Sequence, residues 1–457
     1  MSTAPSEGYW DESLSRGMVS FRQRSTSLMA VTTQQDAPAP TTSLPSDGSP
    51  TVLFTLTGPD RPGVTTAVFQ ALTRSGVEVL DVEQVVVRGH LSLAVLVTAG
   101  DDEAGTIGAV RVVGGELGLT VTGLPGTGDN SKRRRNRLAV TMLGAPLLPS
   151  AVAGVAGRIA EHGANIDRIR RISRFPVTTI EMDVSGGDGE VLRRELTAEA
   201  MAHGADLAVC PAGLARRGRR LVVMDVDSTL IQDEVIELLA GHAGPEVEKQ
   251  VAHVTERAMR GELDFAQSLH ERVACLAGLP ESVLDDVYHS VRLTRGARTL
   301  TRTLRRLGFT LGVVSGGFIE VVAPLARDLG IHHVAANQLE VADGHLTGRV
   351  VGAVVDRAAK AASLRRFAEL EGLSLSRTVA IGDGANDLDM LATAGLGIAF
   401  CAKPVVREQA DTSVSVPYLD AVLYLLGIPR SEIEDADEDL APAVPGEAEA
   451  PTGGNRS

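Results

Sequence analysis

The chain of 457 residues has few cysteines, few aromatic residues and no long apolar run. Its three cysteines, Cys210, Cys275 and Cys401, are odd in number and far apart, which excludes a disulfide framework and suits a reducing cytoplasm. Aromatic residues make up only 3% of a chain that is 44% hydrophobic, so the cores must be mainly aliphatic. No segment reaches the ~18 consecutive apolar residues of a membrane-spanning helix, and no membrane span is expected.

The chain also has fewer basic than acidic residues, and its formal net charge is −14. This balance argues against nucleic acid as a partner, because a phosphate backbone requires a basic face. Residues 132–135 and 216–220 are basic runs that resemble solvated linkers more than nucleic-acid patches. We expect residues 1–48, rich in Ser, Thr and Pro and without an apolar signal-peptide core, to be disordered and not exported. The acidic tail, 429–457, is expected to be disordered as well.

Two segments of similar size, 49–125 and 137–210, have the same pattern of apolar periodicity. In each, a strand and a helix precede a pair of strands and a second helix, and the first segment ends in a further strand. The order β-α-β-β-α-β is that of a ferredoxin-like domain. The sequence therefore predicts two small α/β domains ahead of residue 218.

The most informative residues are Asp225 and Asp227, which follow the apolar run 221–224. Such a run predicts a buried strand, and open α/β sheets bind ligands at the carboxyl ends of their strands. Two carboxylates this close repel each other, so a cation or a catalytic use would justify them. The alternative is a solvated turn of the form Asp-x-Asp.

Other polar motifs follow in a fixed order along the chain. They are Ser315-Gly316-Gly317 after 311–314, Lys360 within the helical stretch 357–370, and Gly382-Asp383-Gly384-Ala385-Asn386-Asp387 after 378–381. Together with Asp225 and Asp227, these motifs resemble the signature of haloacid-dehalogenase-type phosphohydrolases, most closely its phosphoserine phosphatase branch. The resemblance covers roughly residues 218–428 and implies a doubly wound, Rossmann-like α/β core.

The chemistry of these residues agrees with what the resemblance implies. Asp225, ionised at neutral pH, would attack phosphorus and form an aspartyl-phosphate. Asp227 would protonate the leaving oxygen and then activate water, so its pKa should be raised by neighbouring anions. By resemblance, Mg²⁺ would be held by the Asp225 carboxylate, the Asp227 backbone carbonyl and the Asp383 carboxylate. Asp387 would support these ligands from behind, although it could instead be a helix cap.

The resemblance also assigns the substrate contacts. Ser315, the Gly316 amide, Lys360 and Asn386 would hold the phosphate.

Residues 233–300 form an insertion with helical patterning, which in this family is a cap that closes over the substrate. Glu234 and Arg272 match the family positions that bind the amine and the carboxylate of phosphoserine. Met259 and Phe265 are candidates for the pocket wall, or for the cap's own core.

The first small domain carries a loop, 58–63, that resembles the ligand loop of ACT domains. Gly58, Asp60 and Gly63 would form a tight turn before a helix whose free N–H groups suit a carboxylate. Asp60 could instead simply cap that helix. The second domain has 144–149 in place of this loop, and a packing role is expected there.

The sequence thus predicts a cytoplasmic, magnesium-dependent enzyme that hydrolyses O-phospho-L-serine. Because ACT domains commonly pair in regulatory interfaces, a homodimer with serine or a related amino acid as effector is expected. Two alternatives remain open. One is a related phosphatase acting on another phosphorylated amino acid or on a phosphoprotein. The other is an amino-acid sensor with an inactive phosphatase scaffold.

Overall fold

The computed structural model describes residues 48–128, 136–213, 218, 220–260 and 262–438. The chain divides into two compact units, Met1–Lys132 and Arg133–Ser457. The predicted N-terminal disorder and nearly all of the two basic runs lie outside the described residues, as does the side chain of Met259.

The first unit contains a four-stranded antiparallel sheet in the order β2-β3-β1-β4. Its elements are β1 (Pro50–Pro59), α1 (Val64–Arg74), β2 (Val79–Val87), β3 (His90–Thr98), α2 (Glu103–Glu116) and β4 (Thr120–Thr127). Alternate residues of β3, from Leu91 to Val97, are fully buried and pack with Val68 of α1 and Val110 of α2. The predicted ferredoxin-like order is confirmed.

The second ferredoxin-like domain opens the second unit and has the matching sheet order β6-β7-β5-β8. Its elements are β5 (Arg137–Gly144), α3 (Pro149–Glu161), β6 (Asn165–Ser173), β7 (Thr178–Ser185), α4 (Gly189–Ala202) and β8 (Asp206–Pro211). Strand β8 is bonded to the end of the following domain. Thr412 Oγ1 donates to the Leu207 carbonyl at 2.7 Å, and the Ser415 amide donates to Asp206 Oδ2 at 2.7 Å.

The remainder of the second unit is built on a seven-stranded sheet in the order β12-β11-β10-β9-β13-β14-β15. The strands are β9 (Leu221–Met224), β10 (Thr310–Phe318), β11 (His333–Ala342), β12 (His345–Val351), β13 (Thr378–Gly382), β14 (Leu396–Phe400) and β15 (Thr412–Val414). All are parallel except β12, which forms a hairpin with β11.

The predicted doubly wound core is confirmed, and β9 lies at its centre between β10 and β13. All four residues of β9 are fully buried, as expected where helices cover both faces of a parallel sheet. The strand order reverses at β9, so its carboxyl end is the topological switch point where ligands bind in such sheets.

Four helices occupy the chain between β9 and β10 before α9 leads into β10. They are α5 (Val235–Ala243), α6 (Pro245–Met259), α7 (Phe265–Ala274) and α8 (Val283–Ser290). The remaining helices are α9 (Ala297–Arg306), α10 (Ile319–Leu329), α11 (Arg357–Leu370), α12 (Leu388–Thr393), α13 (Pro404–Arg407), α14 (Ala421–Leu425) and α15 (Arg430–Glu438).

Helix α15 corrects the prediction that disorder begins at residue 429. Ile433 is buried in the main core, and Asp437 bonds to Arg302 and to Arg306, the latter at 2.7 Å. The buried Ile433 side chain and the ion pairs of Asp437 therefore attach helix α15 to the phosphatase domain. Residues 439–457 lie outside the described part of the chain.

In the described ranges, no helix combines the length and apolarity that crossing a bilayer requires.

Candidate active site

Asp225 stands at the carboxyl end of β9, where the backbone turns sharply. Its amide still continues the sheet by donating to the Ile381 carbonyl of β13 at 2.9 Å. Three residues later Ser228 has a φ of 57°, a left-handed conformation that is costly for a residue with a Cβ. This turn brings Asp227 and Thr229 back over the end of the sheet beside Asp225.

A buried lysine joins two of the predicted aspartates. Lys360 Nζ lies 2.8 Å from Asp225 Oδ1 and 2.7 Å from Asp387 Oδ1, and all three side chains are almost completely buried. Burial opposes the charge on Lys360, but the two carboxylates outweigh it and raise its pKa. For Asp225, burial and the charge of Asp387 raise the pKa well above its ordinary value, although Lys360 counteracts them.

Both carboxylate oxygens of Asp227 accept hydrogen bonds. The Val235 amide donates to Oδ1 at 2.8 Å, and Ser315 Oγ donates to Oδ2 at 3.0 Å. A Cβ on Gly317 would lie 3.0 Å from Asp227 Oδ2, which is tighter than most Cβ contacts, so glycine favours this close approach. The pKa of Asp227 is raised, as predicted, but burial is the cause rather than neighbouring anions.

Three carboxylates form a compact acidic cluster. Asp225, Asp383 and Asp387 each place an oxygen within 4.8 Å of the others. Asp383 Oδ1 accepts a hydrogen bond from Thr229 Oγ1 at 3.1 Å, and burial, helped by Asp387, raises its pKa to about 6. Hard oxygen donors with excess negative charge fit Mg²⁺.

Asp387 differs from the other two carboxylates because its oxygens already have partners. Oδ1 accepts from Lys360, and Oδ2 accepts from the Gly384 amide at 3.0 Å. Its side chain makes no capping bond to α12, but the bond from Gly384 caps the short 3-10 turn Ala385–Asp387, so the alternative of a helix cap holds for that turn. A Cβ on Gly382 would lie 2.4 Å from the Asp387 carboxyl carbon, so this glycine lets the two segments meet.

Eight of the residues predicted to act in catalysis or to bind metal or substrate line one cavity of about 280 Å³, as does Phe265, the candidate for its wall. The eight are Asp225, Asp227, Glu234, Arg272, Gly316, Lys360, Asp383 and Asn386. The predicted residues Ser315 and Asp387 are fully buried behind its wall. Phe265 and Leu269 of α7 add apolar surface opposite the carboxylates. The cavity is therefore acidic at the sheet and mixed at the cap helices.

Two oppositely charged side chains face this cavity from the cap. Ser228 Oγ donates to Glu234 Oε1 at 3.0 Å, and burial, with Asp227 next, raises the pKa of Glu234 to about 7. Arg272 Nε donates to the Ser268 carbonyl at 3.3 Å, one turn earlier in α7. Burial lowers the pKa of Arg272, while the charges of Glu234 and Asp227 oppose that shift.

Several residues of the site were not predicted. Asn337 is buried, donates to the Gly316 carbonyl at 2.8 Å and accepts from the Val355 amide at 2.8 Å, which orients the Gly316 peptide. Lys403 lines the catalytic cavity near Asn386. Thr229 could have been predicted, because it stands two residues after Asp227 in the pattern Asp-x-Asp-x-Thr. Asn337 and Lys403 could not, because neither belongs to a recognisable motif.

The predicted effector loop belongs to the first unit. Gly63 begins α1 with a φ of 92°, and no side chain caps the helix, so the alternative of an Asp60 cap is wrong. The Asp60 amide donates to the Gly89 carbonyl at 2.8 Å. Thr65 Oγ1 donates to Gln84 Oε1 at 3.0 Å, which joins the start of α1 to β2. A Cβ on Gly58 would lie 2.7 Å from Leu119, so close packing requires glycine there.

Comparisons with known proteins agree with this architecture. Residues 222–392 match the model of haloacid dehalogenase-like hydrolases, and residues 50–122 and 137–210 match two ACT domain models. The chain is 58% identical over 392 residues to a phosphoserine phosphatase of Streptomyces coelicolor, covering 85% of this chain and 95% of that protein. It is 54% identical over 391 residues to a phosphoserine phosphatase of Mycobacterium tuberculosis, covering 84% and 95%.

A solved structure shares much of the fold. The probable phosphoserine phosphatase of Vibrio cholerae, in unliganded form, has a TM-score of 0.51 and 34% identity. The match covers 66% of this chain and 89% of that one.

Proposed function

Because the chain belongs to the phosphoserine phosphatase family of haloacid dehalogenase-like hydrolases, we propose that it hydrolyses O-phospho-L-serine to L-serine and inorganic phosphate. The observation that carries this proposal is the buried Lys360 bridge at the catalytic cavity, which sets one oxygen of Asp225 beside a cation. Charge is expensive at such depth, so its presence favours a chemical use over a structural one.

The reaction proceeds in two steps. One oxygen of Asp225 attacks phosphorus, the bond from phosphorus to the serine oxygen breaks, and an aspartyl-phosphate forms. Asp227 donates its proton to the leaving serine oxygen. In the second step Asp227 takes a proton from water, whose oxygen displaces Asp225 from phosphorus. The raised pKa of Asp227 supports this role, since a buried carboxyl holds a proton more readily.

The carboxylates of Asp225 and Asp383 and the backbone carbonyl of Asp227 would hold Mg²⁺. When bound, this cation would neutralise negative charge on the phosphoryl oxygens and among the aspartates. The hydrogen bonds that occupy both oxygens of Asp387 support a positioning role for it, through Lys360 and Gly384.

The remaining contacts divide between the two ends of the substrate. The Gly316 amide, Lys360 and Asn386 bind the phosphate, and the Ser315 hydroxyl would have to turn from Asp227 to join them. Glu234 binds the ammonium group and Arg272 the carboxylate, from the cap side of the cavity. The small volume of the cavity favours an amino-acid phosphate over a phosphoprotein.

The direct test is phosphate release from O-phospho-L-serine, measured with added Mg²⁺ and after treatment with a chelator. We expect release that depends on Mg²⁺ and that exceeds release from O-phosphohomoserine and from a phosphoserine peptide. A peptide hydrolysed faster than the free amino acid, or no release from any of them, would reject the proposal.

Raising the pH from about 6 to about 8 is expected to lower KM for O-phospho-L-serine through Glu234. Only its ionised form pairs with the ammonium group, and with a pKa of about 7 the ionised fraction rises up to roughly tenfold. The substrate phosphate also titrates near pH ~6. The Glu234→Gln variant shares that titration and serves as control. Superimposable KM profiles for the two enzymes would contradict this role.

Replacing Arg272 by Ala is expected to raise KM for O-phospho-L-serine about 10- to 100-fold, because a charged hydrogen bond is lost. O-phosphoethanolamine lacks the carboxylate and serves as the matched substrate, with its KM expected to change little. An equal loss on both substrates would show that Arg272 supports the cap rather than recognising the carboxylate.

We propose further that the protein is a cytoplasmic homodimer, regulated by an amino acid such as serine bound near Gly58, Asp60 and Gly63. Exposed valines on β2, from Val79 to Val87, support pairing of the first domain, since such apolar patches mark association sites. Sedimentation equilibrium measures the dimer directly.

The Asp60→Ala variant is expected to abolish the response of phosphate release to added L-serine while leaving the unregulated rate intact. Asp101→Ala, an exposed aspartate of the same domain, is the control. A serine response retained in Asp60→Ala would move the effector site elsewhere.

A further inference from the structure

A second cavity, of about 790 Å³, lies in the second unit, away from the residues assigned to catalysis. It is formed by helix α4 of the second ferredoxin-like domain and by the segment at the end of α13 in the phosphatase domain. Its lining includes Val191, Arg193, Thr197, Met201, Arg407 and Asp411. Cavities of this size are typical of small-molecule sites.

Three polar atoms around this cavity are buried without a hydrogen-bond partner among the residues that the structure describes. They are Nε of Arg193, Oγ1 of Thr197 and Nε of Arg407. Buried polar atoms are nearly always paired in native proteins, so three beside one cavity leave hydrogen-bonding capacity that the surrounding described residues do not use. Arg407 Nη2 lies 3.9 Å from Asp206 Oδ1, which is longer than a hydrogen bond.

The charges around the cavity have both signs, and one wall is apolar. Arg193 is partly neutralised, with Nη1 3.2 Å from Asp411 Oδ1. Glu190 and Glu408 are exposed at the rim, and Met201 contributes apolar surface. Glu190 is itself 3.9 Å from Arg193 Nη2, which leaves the carboxylate of Glu408 at the rim as the counterpart for a cation. A guanidinium, exposed rim carboxylates and an apolar wall together suit a zwitterion with an apolar side chain.

We propose that this cavity binds an α-amino acid with an apolar side chain. The carboxylate of the ligand pairs with the guanidinium of Arg407, its ammonium group faces the rim carboxylates, and its side chain packs on Met201. The site is separate from the loop of Gly58 and Asp60, which belongs to the first unit.

The position of Arg407 connects this site to catalysis. Helix α13 is a single turn, Pro404–Arg407, and Lys403 immediately precedes it. Lys403 lines the catalytic cavity, whereas Arg407 lines the second one. A shift of this single turn on ligand binding therefore moves a positive charge on the wall of the catalytic cavity. The ligand changes KM for the phosphorylated substrate by this route.

The binding test is titration calorimetry of the full-length protein with L-leucine in the absence of substrate. Saturable binding is expected to weaken at least about tenfold in Arg407→Ala, because a charged hydrogen bond is lost. Met201→Trp, which fills the cavity, is expected to abolish it. Arg174→Ala, an exposed arginine of the same domain, is the control and is expected to bind as the unaltered protein does. The analogues 4-methylpentanoate and 3-methylbutylamine, which lack the ammonium or carboxylate group, are expected to bind more weakly.

Several results would overturn the proposal. They are no saturable binding at millimolar leucine, binding unchanged in both Arg407→Ala and Met201→Trp, loss of binding in Asp60→Ala, or preference for L-serine. The kinetic arm measures KM with and without leucine and rests on the proposed phosphatase function, with the leucine effect expected to disappear in Arg407→Ala. The calorimetry requires no substrate, so the site and the phosphatase function fail separately.

Discussion

Asp225→Asn is expected to reduce phosphate release from O-phospho-L-serine by at least about 10⁴-fold, because the variant has no nucleophile for the first step. The fold should survive the change. Burial and Asp387 raise the pKa of Asp225, so its charge is unfavourable in the folded protein and a neutral amide of the same shape is tolerated. We therefore expect a melting temperature no lower than that of the unaltered enzyme. The loss of activity would then come from the missing nucleophile and not from unfolding.

The control for Asp225→Asn is Asp389→Asn, a nearby half-buried aspartate that pairs with Arg357. Its activity should remain close to that of the unaltered enzyme. In addition, stopping the unaltered enzyme in acid during turnover should trap a phosphoryl group that hydroxylamine releases. If Asp225→Asn retained turnover, or still formed a hydroxylamine-labile adduct, Asp225 would not be the nucleophile.

Lys360→Met is expected to lower the free energy of unfolding by about 3–5 kcal/mol and to abolish activity. Removing the cation leaves Asp225 and Asp387 buried without their shared countercharge, and uncompensated buried charges carry this penalty. Urea unfolding measures the change in stability. The matched control is Lys403→Met, an exposed lysine on the same cavity, which should alter stability by no more than about 0.5 kcal/mol.

The destabilisation of Lys360→Met should grow as the pH rises. The pKa of Asp225 is already raised by burial and rises further without Lys360. A group whose folded pKa exceeds its unfolded value stabilises the fold below the unfolded value and loses that contribution as the pH rises through the folded value.

The double variant Lys360→Met/Asp387→Asn removes one of the two carboxylates and should recover part of the stability but none of the activity. A double variant less stable than Lys360→Met would contradict the shared bridge.

The two ferredoxin-like domains have different surroundings although their folds match. The second is bonded through β8 to β15 of the phosphatase domain, and its helix α4 forms one wall of the second cavity. Residues 144–149 give this domain no charged loop, and the packing role expected of them stays a prediction. The two domains are thus suited to different tasks, with the valine-rich sheet of the first available for association.

Local sequence was enough to predict that several carboxylates meet at one edge of the sheet. Asp225, Asp227 and Asp383 each follow a short apolar strand, and parallel strands bring their carboxyl ends to one edge of a sheet. The same reasoning predicted the ferredoxin-like order, because strand-like and helix-like apolar patterns follow one another in the same order in both segments. These features depend on neighbours in the chain.

The tertiary structure decided which groups meet across long separations. The sequence does not reveal that Asn337 orients the Gly316 peptide, that burial rather than neighbouring charge raises the pKa of Asp227, or that α15 folds back onto the domain. Nor does it reveal that Lys403 and Arg407, four residues apart, face two different cavities. A residue's type and spacing determine what chemistry it can perform, whereas its partners and its exclusion from water arise only when distant segments pack together.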